Sequence, residues 1–152
     1  MSSSSDIRMV DVGGKPVTKR QAVARGKVLM QAATLNLLKK GKLPKGDVLA
    51  AARVAGIMAA KETHRLIPLC HPLLIEDVSI EFSIDDKAAA VEIMATVKGS
   101  GKTGFEMEAL TAVAVSGLTI YDMCKTVDRT LRLDSIRLIK KSGGKSGTVV
   151  VE

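Results

Sequence analysis

Aromatic side chains are almost absent: Phe82, Phe105 and Tyr121 are the only three in 152 residues, and there is no tryptophan. The scarcity bears on function, because proteins that take up single-stranded nucleic acid stack its bases on aromatic rings. Cysteine is nearly as rare. Cys70 and Cys124 stand far apart, which supplies no disulfide framework and fits a reducing cytoplasm. No apolar run reaches the roughly 18 residues that a membrane span requires. The opening serine tract has no apolar stretch, so residues 1–8 read as a disordered tail rather than a secretion signal, with one domain expected over 9–152. With only His64 and His71 as histidines and no Cys-x-x-Cys pair, no metal centre is expected.

What is present is aliphatic and basic. Hydrophobic residues make up 46% of the chain, enough for one core built from Ala, Val, Leu, Ile and Met. The formal net charge is +7, and a cationic surplus gathers anions. Nucleic acid, an anionic membrane and a small phosphorylated substrate are the three candidate partners. The missing aromatics and the missing span separate these three only in part.

Alternation begins after a loop over residues 8–18. Arg20, Ala22, Ala24, Gly26, Val28 and Met30 share one parity, and Lys19, Gln21, Arg25 and Lys27 share the other, broken by Val23. Period two predicts a half-buried strand to about Leu29, followed by a helix through Leu35, Leu38 and Lys39 that Gly41 stops. Asp47 is a natural cap for a helix to about Thr63, apolar on nearly all sides and therefore expected to be buried. Two more alternating strands, 78–84 and 91–97, flank a hairpin at 85–89. A glycine-rich turn is expected at 99–104, a long helix at 105–131, and a last strand through Ile136 and Leu138. This order predicts an α+β, ferredoxin-like fold: an antiparallel four-stranded sheet with helices packed on one face.

Several groups suit chemistry. Gly99-Ser-Gly-Lys-Thr-Gly104 lies between a strand and a helix, but Thr96 stands where a phosphate-binding P-loop needs its first glycine. Gly143-Gly-Lys-Ser-Gly147 fails the same test, although its amides and lysines suit an anion. His71, next to Cys70 in a proline-bounded loop, can move protons near neutral pH. Glu106 and Glu108 open the long helix, where acids also serve the helix dipole. Asp122 and Lys125 share a helical face, and a lysine among apolar neighbours can have a lowered pKa. Lys45 stands beside Asp47 just before a helix.

Taken in order, six blocks resemble one family. They are Lys45-Gly-Asp-Val-Leu-Ala50, Ala55-Gly-Ile-Met-Ala-Ala-Lys61, Leu66-Ile-Pro-Leu-Cys-His-Pro-Leu73, Thr103-Gly-Phe-Glu-Met-Glu-Ala-Leu110, Leu118-Thr-Ile-Tyr-Asp-Met-Cys-Lys125 and Lys141-Ser-Gly-Gly-Lys-Ser-Gly147. They are similar to the MoaC family, the cyclic pyranopterin monophosphate synthases of molybdenum cofactor biosynthesis. The likeness spans about residues 9–147. It implies a lyase acting on 3′,8-cyclised dihydro-GTP, supplied by a radical S-adenosylmethionine enzyme, with pyrophosphate released. It implies a cytoplasmic homohexamer, a trimer of dimers, with sites at subunit interfaces and no nucleic acid or membrane partner. The family's lysine pair falls on Lys45 and Lys125, its histidine on His71, and its acids on Glu106, Glu108 and Asp122. Substrate-binding positions fall on Arg20, Lys61, Cys70, His71, Met107 and Lys141. No cofactor is required, though magnesium can accompany the phosphates. Phe105 and Gly13-Gly14 depart from the family's pattern, at positions expected to lie clear of the site. The rival classes are a basic RNA-binding module and a P-loop-like nucleotide hydrolase.

Overall fold

The computed structural model describes residues 6–145 and 147–152. Most of the expected N-terminal tail, residues 1–5, and Ser146 of the glycine–lysine cluster lie outside them. The chain runs β1 (Thr18–Leu29), α1 (Ala32–Lys40), α2 (Val48–Leu66), β2 (Leu74–Asp85), β3 (Ala90–Gly101), α3 (Glu106–Cys124), β4 (Arg132–Ser142) and β5 (Val149–Val150). The strands form one antiparallel sheet in the order β2-β3-β1-β4-β5. Its first four members have the order of a ferredoxin-like sheet. The fifth was not expected. It pairs with Lys140 and Lys141 at the β4 edge, and it is too short to show as alternation.

The parity of β1 decides where the helices sit. Ala22, Ala24 and Val28 are fully buried, while Arg25 on the other parity pairs at 3.6 Å with Glu92 of β3. Small residues let a helix approach closely. A Cβ on Gly26 would stand 2.7 Å from a methyl of Val113 in α3, and one on Gly117 would stand 3.0 Å from Leu133 in β4. Helix α2 follows the same rule: a Cβ on Gly56 would collide with the Ser116 hydroxyl and Ile80. The Ser116 hydroxyl donates to the Ala52 carbonyl at 3.0 Å. Lys45 touches the end of α3 while Cys70 touches its start, so α2 and α3 run antiparallel.

Three expectations need correction. Helix α2 is not buried all round: it buries Val48, Ala52, Gly56, Ala59, Ala60 and Thr63, while Val54 and Met58 are 57% and 60% exposed. Helix α3 ends at Cys124 rather than near residue 131. The buried carboxylate of Asp128 collects Thr130 N at 2.7 Å and Thr34 Oγ1 at 2.8 Å, and these bonds hold a loop that a continuing helix would not form. The glycine-rich stretch 99–104 is not one turn, because β3 continues to Gly101. Gly99 is there for closeness: a Cβ would press on the Leu74 carbonyl and lie 2.6 Å from Phe105 Cζ. Phe105 itself is fully buried.

Candidate active site

Two charged clusters form at opposite ends of α3. At its C-terminal end, Asp122 receives two lysines from different parts of the chain. Lys125 Nζ lies 2.9 Å from Oδ1 and Lys45 Nζ 3.2 Å from Oδ2. Lys45 also donates to the Asp122 carbonyl at 3.1 Å. Asp47 delivers Lys45 there, because its side chain accepts from Ala50 N at 3.1 Å and fixes the start of α2. Hydrogen bonds from Lys125 and Lys45 hold the Asp122 carboxyl below the usual aspartate range. A lysine in apolar surroundings with a lowered pKa is the expectation from sequence. Lys125 is instead half-exposed, and its hydrogen bond to Asp122 raises its pKa.

At the N-terminal end of α3 stand Glu106 and Glu108. Both of their charges act on the Cys70 thiol, and in each glutamate Oε1 is buried with no hydrogen-bond partner among the described residues. The Cys70 thiol donates to Glu108 Oε2 at 3.7 Å. Glu108 is 3% exposed, and this burial pushes its carboxyl above the usual range. Burial, with Glu108 and then Glu106 adding to it, pushes the Cys70 thiol up to about 11. Cys70 is thus a neutral thiol near pH 7, which disfavours a nucleophilic Cys70–His71 pair. Lys141 Nζ stands 3.7 Å from Glu106 Oε1.

Glu106 and Lys141 also line a cleft of about 570 Å³ with Arg20, Lys15, Lys145 and the Gly143–Gly144 backbone. Arg20 Nε donates to the Gly101 carbonyl at 2.9 Å, which fixes its guanidinium. Gly143 and Gly144 adopt φ of +100° and +73°. A side chain at Gly144 would meet Arg20 Nη1 at 2.5 Å. Strand β5 holds this loop from behind, reinforced by Arg137, whose Nε and Nη2 grip Glu152 at 2.7 and 2.6 Å. Lys15, Thr18, Thr103 and Lys145 also line the cleft, although none is among the expected site residues. Thr103 and Lys145 left a signal, each as part of a glycine–lysine cluster, and Lys15 and Thr18 left none. Gly14 lines the cleft too and Phe105 immediately precedes Glu106, so neither departure from the family pattern lies clear of the site.

His71 sits next door, with Pro72, Leu73 and Leu74 in a shallow apolar cleft against Gly101 and Lys102. Met107 is partly exposed, and Lys61 is exposed on α2 without an ion pair among the described residues. Within one chain the two clusters do not meet. Along α3, at 1.5 Å per residue, Glu106 and Asp122 are separated by about 24 Å.

The arrangement can bind an anion at one end of α3 and move protons at both. The MoaC family profile matches residues 9–144. The cyclic pyranopterin monophosphate synthase of Chloroflexus aurantiacus (strain J-10-fl) is 61% identical over 147 residues, covering 97% of this chain and 90% of that protein. The protein of the same name from Pelotomaculum thermopropionicum is 59% identical over 140 residues, 92% of this chain and 82% of its own. That from Roseiflexus castenholzii is 55% identical over 152 residues, 100% of this chain and 96% of its own.

Proposed function

This chain belongs to the MoaC family, and from that premise we propose that it is a cyclic pyranopterin monophosphate synthase acting in molybdenum cofactor biosynthesis. Its substrate is 3′,8-cyclised dihydro-GTP, and its products are cyclic pyranopterin monophosphate and pyrophosphate. The observation that carries the reading is the meeting of Lys45 and Lys125 on one carboxylate of Asp122. Opening a purine ring and closing a pterin ring need several proton transfers at one bound molecule. Two amines and a carboxylate within hydrogen-bond reach of one another supply donors and acceptors for them.

The cleft bounded by Arg20, Lys141, Lys145 and the Gly143–Gly144 amides suits the triphosphate. Cyclising the innermost phosphate expels pyrophosphate, so cations must stabilise charge that moves during the step. Glu106 lines this cleft, and in this reading it exchanges protons with the ring end of a bound substrate together with Glu108 and His71. Lys61, Cys70 and Met107 complete the binding wall in this reading. Every step is a proton transfer, a ring hydrolysis or closure, or a displacement at phosphorus. No redox cofactor enters, and magnesium acts at most as a companion of the phosphates.

The separation of the clusters has a simple resolution in a homohexamer, a trimer of dimers. One protomer supplies the lysine pair and its neighbour supplies the phosphate cleft. Exposed Val54 and Met58 on α2 and Leu118 on α3 support such an assembly, since uncovered apolar patches mark interfaces. The setting we assign is cytoplasmic, in keeping with two free thiols. The test is incubation with the cyclised dihydro-GTP, then oxidation and fluorescence detection of a pterin. Wild-type protein is expected to form it, and Lys45→Ala and Lys125→Ala are expected to form none while remaining folded. Salt-sensitive RNA binding without pterin, or phosphate release from ordinary GTP, would turn the assignment to one of the rival classes.

A further inference from the structure

Helix α1 begins without a cap of its own. Gln31 occupies the cap position, its side chain makes no capping bond, and the first turn holds no acidic residue. The acceptor comes instead from the loop after α3. Asp128 Oδ2 accepts from Gln31 N at 2.9 Å and from Thr34 Oγ1 at 2.8 Å. Its other oxygen accepts from Thr130 N at 2.7 Å and Thr130 Oγ1 at 2.6 Å. Asp128 is 3% exposed, so a buried charge holds four donors from two separate segments. Bonds to an ionised acceptor are the stronger kind.

The far end of the same segment is also tied. Gly41 closes α1 in the left-handed region at φ +66°. The connector then carries Lys45 onto Asp122, 3.2 Å from Oδ2. Helix α1 and its connector are therefore a strap. Asp128 pins one end and Asp122 the other, with Lys125 between them in sequence. We infer that Asp128 is a positioning residue for the reaction. It touches no substrate, but by fixing the start of α1 it sets Lys45 opposite Lys125. Replacing it would leave the Gln31 and Thr130 amides and the Thr34 hydroxyl without their acceptor, free the strap at its root, and let Lys45 drift from Asp122.

The inference rests on the activity proposed above, so its test carries one readout that needs no turnover. Asp128→Ala, the milder Asp128→Asn and a core control, Ile93→Ala on β3, are compared with wild type well below their melting temperatures. The Asp128 variants are expected to lose about tenfold or more in kcat with KM held within about twofold, the pattern of a misplaced group. Ile93→Ala, which removes a side chain 1% exposed and remote from the strap, is expected to lower the melting temperature and keep kcat within about twofold. Amide hydrogen exchange across residues 41–46 is expected to quicken in the Asp128 variants and not in the control. Unchanged exchange there, or an Asp128→Asn protein with wild-type kcat, would overturn the inference. Faster exchange together with a wild-type chain that forms no pterin would support the strap and strike the activity instead.

Discussion

Lys45 and Lys125 hold opposite oxygens of a single carboxylate, at 3.2 and 2.9 Å from Asp122. Each lysine keeps its charge partner whether or not the other is present, and Asp122 is the group that both amines touch. Asp122→Asn is therefore expected to hurt as much as losing a lysine, a fall in kcat of about 10²-fold or more. Its melting temperature should change little, because an ion pair this exposed adds almost nothing to stability. Steady-state kinetics beside thermal denaturation check both halves.

Glu108 combines burial, an oxygen with no partner among the described residues and a raised pKa. The folded state favours its neutral form. Its contribution to stability is full below the unfolded glutamate pKa and is lost as pH rises through the folded value. Near neutral pH the charged carboxylate is thus a burden on the fold. Glu108→Gln is expected to raise the melting temperature at pH 7 by a few degrees and to cost activity, the trade often seen where a site is kept strained for function. At pH 4 the gain should vanish. A variant less stable than wild type at pH 7 would count against this account.

Asp128 has the opposite sign. Burial pushes its carboxyl up, but the bonds from Gln31, Thr130 and Thr34 outweigh that and hold it down at about 2, well below the usual aspartate range. The stabilisation is complete above the unfolded value and drains away as pH falls through the folded one. By that linkage Asp128 is worth about 2 kcal/mol at neutral pH. The melting-temperature gap between wild type and Asp128→Asn should be widest above pH 5 and close between roughly pH 4 and pH 2.

Gly56 sits where α2 crosses α3, and an added Cβ would meet the Ser116 hydroxyl, Ile80 and, at 3.0 Å, the Ala112 carbonyl. Alanine ordinarily helps a helix by close to 1 kcal/mol over glycine. Here overpacking opposes it at about 1–3 kcal/mol. Gly56→Ala is expected to be destabilising on balance, measured as a lower denaturation midpoint with an unchanged slope.

Much of this was legible in the sequence. The parity of β1 gave the strand its bounds and its buried face, because alternation reports directly on which side chains point inward. Asp47 was recognisable as a cap from residue type and position. The blocks around Lys45, His71, Glu106 and Asp122 pointed to the family that the comparisons later matched. What stayed hidden depended on distance in space. Nothing near Asp128 shows that its partners are Gln31 and Thr34, so the end of α3 was placed too late. Strand β5 has two residues and no periodicity to read. The apolar α2 looked buried because hydropathy does not say whether a face meets this chain's own core or is left open, as Val54 and Met58 are.

Helix α3 carries one chemical group at each tip, Glu106 and Asp122, on an unbroken backbone. Such a rod is intolerant of edits in a way the loops are not. Adding or deleting one residue at its middle would turn one tip against the other by about 100° and slide it by 1.5 Å. The hairpin turn between Asp85 and Ala90 has no such constraint. Homologues that differ in length should therefore carry their insertions at that turn, and keep the span from Glu106 to Asp122 at a constant count.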